Sequence, residues 1–171
     1  MDSLENYNIN NVKFFSLENE TLKCRLIDMY DGDTCTCIIP VFGKFYKYNI
    51  RLAEIDTCEI KSKKVENKLL ALQARKRLCE LISDDFIDMP LDISRKNLVN
   101  RLNSKCYLLN IKCGTFDKYG RLLGWLYKEN SIIDTPVEES LNYILINENL
   151  AYKYEGKTKL TEEEQVVKLN I

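Results

Sequence analysis

From Thr21 onward the chain alternates apolar and polar residues, with Leu22, Cys24 and Leu26 interleaved with Lys23 and Arg25 on the way to Met29 and Tyr30. A period of two sends successive side chains to opposite faces, which is the mark of a half-buried strand. A second run over 34–39 is rich in β-branched residues, and a third covers 44–53. Asp31-Gly32-Asp33 separates the first two runs and Pro40 to Gly43 the next two, so a three-stranded meander is predicted. Residues 1–18 are polar and Asn-rich, and they are expected to form a flexible lead-in to a single domain spanning 19–171.

The period changes over 65–82. Val65, Leu69, Leu72 and Cys79 lie beside Leu70, Ala74, Leu78 and Leu81 on one helical face, with Lys64, Lys68, Arg75 and Lys76 largely outside it. Residues 83–105 sustain neither period and read as an inserted loop, whose basic second half runs from Arg95 to Lys105. Strands over 106–113 and 121–127 follow, joined by a turn around Asp117 to Gly120. Thr135-Pro136-Val137-Glu138 combines a capping hydroxyl, a proline at the first helical position and an acid in the first turn. A helix is therefore predicted from there through Leu141, Ile144 and Leu145 to Asn149. Thr161 to Glu164 repeats the capping box ahead of a short terminal helix. Five strands and three helices make the fold class α+β, mainly β, and suggest a five-stranded OB-like barrel with helical additions.

Composition narrows the chemistry. A chain of 171 residues that is 45% hydrophobic can bury one sizeable core. It contains no histidine, which excludes Ser-His-Asp and Cys-His nucleophile systems, histidine zinc sites and an imidazole general base. Any catalysis must run on carboxylates, Lys, Arg, Tyr or Cys. The net charge of -1 hides a pattern: 1–33 carry -4, 34–80 carry +5, 81–128 carry +3 and 129–171 carry -5. A basic middle between acidic ends suits a polyanion or, equally, alternating solvated faces. The opening residues lack the basic start and apolar block of a signal peptide, and no apolar run approaches the ~18 residues of a membrane span. The seven cysteines include no CxxC pair, which fits reduced thiols. A soluble, intracellular protein away from membranes is expected.

Four polar clusters interrupt the strands at their ends: Asp31-Gly32-Asp33-Thr34, Arg51 to Glu59, Asp117-Lys118-Tyr119-Gly120-Arg121, and Ala151 to Lys157. Each alone is an ordinary turn or a surface ion pair. In this order they resemble the staphylococcal nuclease (thermonuclease) family, with its DGDT turn, its R-x-x-x-x-D-T-P-E stretch and its D-K-Y-G-R turn. The spacing from Arg51 to Glu59 is the family's own, and the resemblance covers roughly residues 21–154.

The resemblance implies a calcium-dependent nuclease that hydrolyses phosphodiester bonds of DNA and RNA, prefers single strands and leaves 3′-phosphate ends. Arg51 and Arg121 match the catalytic arginines. Guanidinium forks can neutralise charge developing on a phosphoryl group and keep their own charge at any working pH. Asp33, Asp56 and the carbonyl of Thr57 match the Ca2+ ligands, hard oxygens of the kind calcium takes. They fill three of about 6–8 positions, so weak binding is expected without substrate. Glu59 matches the general base. Lys118 and Tyr119 match positions that bind a terminal phosphate. Tyr154 is the best candidate for base packing, although the family's later tyrosine pair does not align cleanly, and partial burial would need the same amphipathic ring.

Two departures stand out. Cys58 replaces the motif proline, removing a locked φ from the loop of Thr57 and Glu59. The 83–105 insertion either extends a nucleic-acid path or is a solvated loop. The competing function is a catalytically weak or inactive module of the same family that binds nucleic acid or protein. A third reading is an unrelated OB-fold interaction domain. The protein is expected to act as a monomer.

Overall fold

The computed structural model describes residues 3–170. Its elements run β1 (Thr21–Asp31), β2 (Thr34–Val41), β3 (Lys44–Leu52), β4 (Ile55–Asp56), α1 (Val65–Ile82), α2 (Arg95–Ser104), β5 (Tyr107–Phe116), β6 (Leu122–Lys128), α3 (Leu141–Asn147), β7 (Tyr152–Lys153) and α4 (Glu162–Leu169). Five strands close a barrel in the order β1-β2-β3-β6-β5, with β5 returning to β1. The β3–β6 pairing is parallel and the others are antiparallel, as in an OB-fold. The predicted meander and the last two barrel strands are thus present. The two-residue strands β4 and β7 pair outside the barrel and tie the segment after β3 to the C-terminal region.

A β-bulge decides which way the first acidic turn points. Cys24 and Leu26 face the barrel interior, and a register shift between Leu26 and Asp28 then reverses the parity. Beyond it Met29 and Asp31 are the buried positions, because one extra residue moves every later side chain to the other face. The aspartates of the turn are consequently turned inward. Gly32 lies between them, and its role is space: a Cβ there would sit 2.6 Å from the Ala74 Cβ of α1.

Helix α1 has the predicted bounds but a different buried face. Leu70, Ala71, Ala74, Leu78, Cys79 and Leu81 are buried, whereas Val65 and Leu69 are exposed. Arg75, expected outside, is also buried, and it donates to the Ile93 carbonyl at 2.6 Å. Lys76 donates to the Met89 carbonyl at 2.8 Å. These bonds anchor the insertion, which is not a loop. It contains a 3-10 turn, Asp84–Phe86, and the ten-residue helix α2, whose Ser94 side chain accepts from the Asn97 N–H. Only Leu98 and Leu102 form the buried stripe of α2, too few apolar positions to stand out as a period.

The predicted helix from 135 is also corrected. Pro136 precedes a 3-10 turn, Val137–Glu139, and α3 starts afresh after Ser140. There are four α-helices among the described residues rather than three. The terminal capping box forms as predicted between Thr161 and Glu164. No helix of the described residues is long and apolar enough to cross a membrane.

Buried Asn142 on α3 locks the barrel to the segment that follows β3. Its side chain accepts from the Leu126 N–H at 3.1 Å and donates to the carbonyls of Ala53 at 2.9 Å and Gly124 at 3.0 Å. An Asn142→Leu variant would leave these backbone groups without that partner in a dry site. Its unfolding in urea is expected to show a loss of roughly 3 kcal/mol.

Candidate active site

The site forms where the barrel strands end. The turn after β1 delivers Asp31 and Asp33, the last residues of β3 deliver Arg51, and β4 delivers Asp56 and then Thr57. All five side chains are buried. Arg51 Nη1 donates to the carbonyls of Leu52 at 3.0 Å and Ile55 at 2.9 Å, which closes the chain around its own guanidinium. Arg51 Nη2 lies 2.8 Å from Asp56 Oδ1 and 3.3 Å from Asp33 Oδ2. The Thr57 N–H donates to Asp33 Oδ2 at 3.0 Å, and the Thr34 hydroxyl to Asp33 Oδ1 at 2.8 Å. Arg51, Asp33, Asp56 and Thr57 are therefore assembled as one cluster.

Three more groups join it to which the motifs assigned no role. Asp31 stands beside Asp33, with its Oδ1 buried and without a hydrogen-bond partner. The Tyr152 hydroxyl donates to Asp56 Oδ2 and accepts from Gln165 Nε2 at 3.3 Å. Lys159 Nζ lies 2.8 Å from Asp56 Oδ1. Strand alternation offered one available signal for Tyr152, since Tyr152 is buried while Lys153 is exposed. Lys159 had none, because it lies outside every element and meets Asp56 only through the fold.

The electrostatics show a site short of positive charge. Burial, and then the neighbouring Asp33 carboxylate, pushes the Asp31 carboxyl up to about 8. Burial and Asp33 also raise Asp56, against the bonds from Lys159 and Tyr152. Burial would raise Asp33 too, but Arg51 and the hydrogen bonds around it outweigh that and hold it below the usual carboxylate range. Three carboxyl groups face two cations, and Asp31 keeps its proton near neutral pH.

The other expected residues are placed differently. Glu59 is half-exposed and 3.3 Å from Lys61, and no bond ties it to the cluster. Arg121 lies just before β6, whose Leu123 pairs with Arg51, but its Nε donates to Asp117 Oδ2 at 2.7 Å. Lys118 and Tyr119 are exposed on the same turn, with Lys118 Nζ 5.1 Å and the Arg121 guanidinium 5.4 Å from the Tyr119 ring centre. Tyr154 is half-buried, donates to the Lys157 carbonyl at 2.8 Å and has Lys159 Nζ 5.9 Å from its ring centre.

The donor set suits a hard divalent cation in kind: carboxylates of Asp31, Asp33 and Asp56, with buried, unpartnered Asp31 Oδ1 and Thr57 Oγ1 beside them. Asp56 is nonetheless engaged on both oxygens. Among the described residues no three acidic or thiol side chains stand ready as a metal cluster.

The basic half of the insertion contributes nothing here. Arg95 pairs with Asp28 at 2.5 Å, Arg101 with Asp88 at 2.6 Å and Lys105 with Asp85 at 3.0 Å. Cys58, in place of the motif proline, is buried among Leu70, Ala71, Tyr152 and Leu169. Its Sγ accepts from Asn67 at 3.7 Å, and burial pushes the thiol up to about 11, so packing holds this loop where a proline ring would have. Of the seven free cysteines only Cys106 is exposed. Titration of the folded protein with a thiol reagent should label Cys106 quickly and the other six only on unfolding.

No curated protein matches the chain. A family model described as staphylococcal nuclease homologue matches residues 49–170, which takes in Arg51, Asp56, Thr57, Glu59 and Arg121 and leaves Asp31 and Asp33 just outside. The match extends over most of the chain, and this protein belongs to the staphylococcal nuclease homologue family.

Proposed function

We propose that this protein is a calcium-dependent nuclease that hydrolyses phosphodiester bonds of DNA and RNA, prefers single strands and leaves 3′-phosphate ends. The observation that carries the reading is the buried cluster of Asp33, Arg51, Asp56 and Thr57, in which a guanidinium and oxygen ligands are held together at the barrel end. Family membership supports the nuclease class.

In this reading Asp33, Asp56 and the Thr57 carbonyl would hold Ca2+, and Asp31, which keeps its proton near neutral pH in the metal-free site, would add negative charge only on losing it. Bound there, calcium supplies positive charge for phosphate oxygens and acidifies a water. Arg51 and Arg121 place guanidinium N–H groups toward the phosphoryl oxygens, where charge grows in the transition state. Arg51 Nε is the donor that its protein bonds leave over, so Arg51 meets the phosphate with one edge unless a bond to Asp33 or Asp56 is released. Glu59, exposed beside the cluster, takes the proton from the attacking water. Lys118 and Tyr119 bind a terminal phosphate, and Tyr154 packs against a base. A monomeric, intracellular enzyme is the form we propose.

The engagement of Asp56 and Arg51 by protein partners favours one second reading, a family member that binds nucleic acid with little turnover. Purified protein incubated with single-stranded DNA and RNA, with calcium and then with chelator, separates the two. Calcium-dependent cleavage is expected, with Arg51→Ala and Glu59→Ala each lowering it by at least about a hundredfold. Cleavage unaffected by both substitutions would exclude this site as the catalytic one. Binding that survives chelation and falls steeply with salt, without cleavage, would establish the second reading.

A further inference from the structure

Asp56 is the most deeply buried carboxylate of the cluster, and its three partners differ in how firmly the fold holds them. Arg51 is buried and bonded to two backbone carbonyls besides. Tyr152 is buried in β7 and tied through Gln165 to Asn67, which donates to Gln165 Oε1 at 3.2 Å and to the Glu162 carbonyl at 2.9 Å. Arg51 cannot leave Asp56 without disturbing the chain path after β3, nor Tyr152 without disturbing α1 and α4.

Lys159 is different. Its side chain is 46% exposed, and it enters from an exposed bend between β7 and α4 that turns at Gly156 with φ +81°. Among the described residues its ammonium has no hydrogen-bond or ion-pair partner other than Asp56; the Tyr154 ring centre is 5.9 Å away, and the Asp33 and Arg51 charges act on it at longer range. The bend is fixed at both ends, by the β4–β7 pairing on one side and by Leu160 packing into the small core under α4 on the other. The long Lys159 side chain can therefore turn its ammonium to solvent while both anchors stay in place.

Resting on the calcium reading given above, we infer that Lys159 is a built-in counter-ion at the metal site, which competes with the divalent cation for Asp56 Oδ1 and sets the site's metal affinity. Oδ1 already accepts Arg51 and Lys159, and Oδ2 accepts Tyr152, so a metal reaches Oδ1 by displacing the one partner the fold does not pin. With Lys159 in place the carboxylates of Asp33 and Asp56 face two cations, Arg51 and Lys159, so the buried cluster does not need a metal to balance its charge. With metal in place the ammonium is freed at the rim of the site, beside the Tyr154 ring. Since binding at one position excludes the other, the coupling is reciprocal: whatever removes the Lys159 charge tightens metal binding by the same factor that metal weakens the Lys159–Asp56 pair.

Calcium titrations by calorimetry of the metal-free wild type, Lys159→Met and Lys159→Arg test this without reference to activity. Lys159→Met is expected to bind Ca2+ roughly five- to tenfold more tightly than wild type, and Lys159→Arg, which keeps the charge, about as wild type. A second readout uses the wild type alone: acetylation of Lys159 by a limiting amine reagent, followed by mass spectrometry, should rise on adding calcium as the ammonium leaves Asp56. If the wild type binds calcium but Lys159→Met binds no more tightly and Lys159 acetylation does not change, the competition is overturned and the calcium reading stands. If neither folded protein binds calcium up to millimolar concentration, the calcium reading falls and the inference falls with it.

Discussion

The structure of the site depends on one buried guanidinium. Arg51 finishes β3 inside the protein, where an uncompensated charge would be prohibitive, and its donors are met by the carbonyls of Leu52 and Ile55 and by the carboxylates of Asp56 and Asp33. Because both carbonyls come from the chain immediately after it, satisfying Arg51 dictates the path of residues 52–56. That path turns through Glu54, which takes φ 63° and accepts from Trp125 at 3.2 Å and Tyr143 at 3.0 Å. The loop of Asp56 and Thr57 is thereby folded around its own arginine, and Asp33, just ahead of the neighbouring strand β2, is latched to it by the Thr57 N–H.

Several distant features serve the same constraint. The β-bulge in β1 turns Asp31 inward, and Gly32 allows α1 to approach the turn closely enough to bury it. Excluding water there raises the electrostatic stakes of every pair in the cluster. On the other side, the line Asn67, Gln165, Tyr152, Asp56 makes α1 and α4 part of the support for a carboxylate that neither helix carries. The C-terminal helix, which reads in sequence as a small appendage, thus has a structural claim on the site.

Legibility in the sequence followed the range of the interactions. The barrel strands, α1 and the capped terminal helix were readable because periodicity and capping are local and repeat over several residues. Helix α2 was not, since two leucines four apart make its whole buried face, and its other fixings, Arg95 to Asp28 and Asn103 to the Ile27 carbonyl, reach a strand about seventy residues away. The same division holds in the site. Asp33, Arg51, Asp56 and Thr57 were legible through motif order, and the fold does bring them together. Tyr152 and Lys159 were not, because both act on Asp56 across about a hundred residues of chain. Arg75 was placed on the wet face by its charge, whereas its position in the helix puts it under the insertion.

The charge pattern takes on a different meaning once these pairs are known. Some acids of the two ends are counter-charges for the basic middle: Glu148 takes Arg77 at 2.7 Å, Asp28 takes Arg95, and Glu162 and Glu163 meet Lys64. With a net charge of -1 the protein projects little net field, so long-range steering of a polyanion is weak. On the function proposed above, recognition would fall to short-range contacts on the exposed turn of Lys118, Tyr119 and Arg121, where two cations flank one aromatic ring near the end of β3. That arrangement suits a flexible strand with accessible phosphates and bases, which can follow a small surface, better than a stiff duplex that must meet a broad basic face.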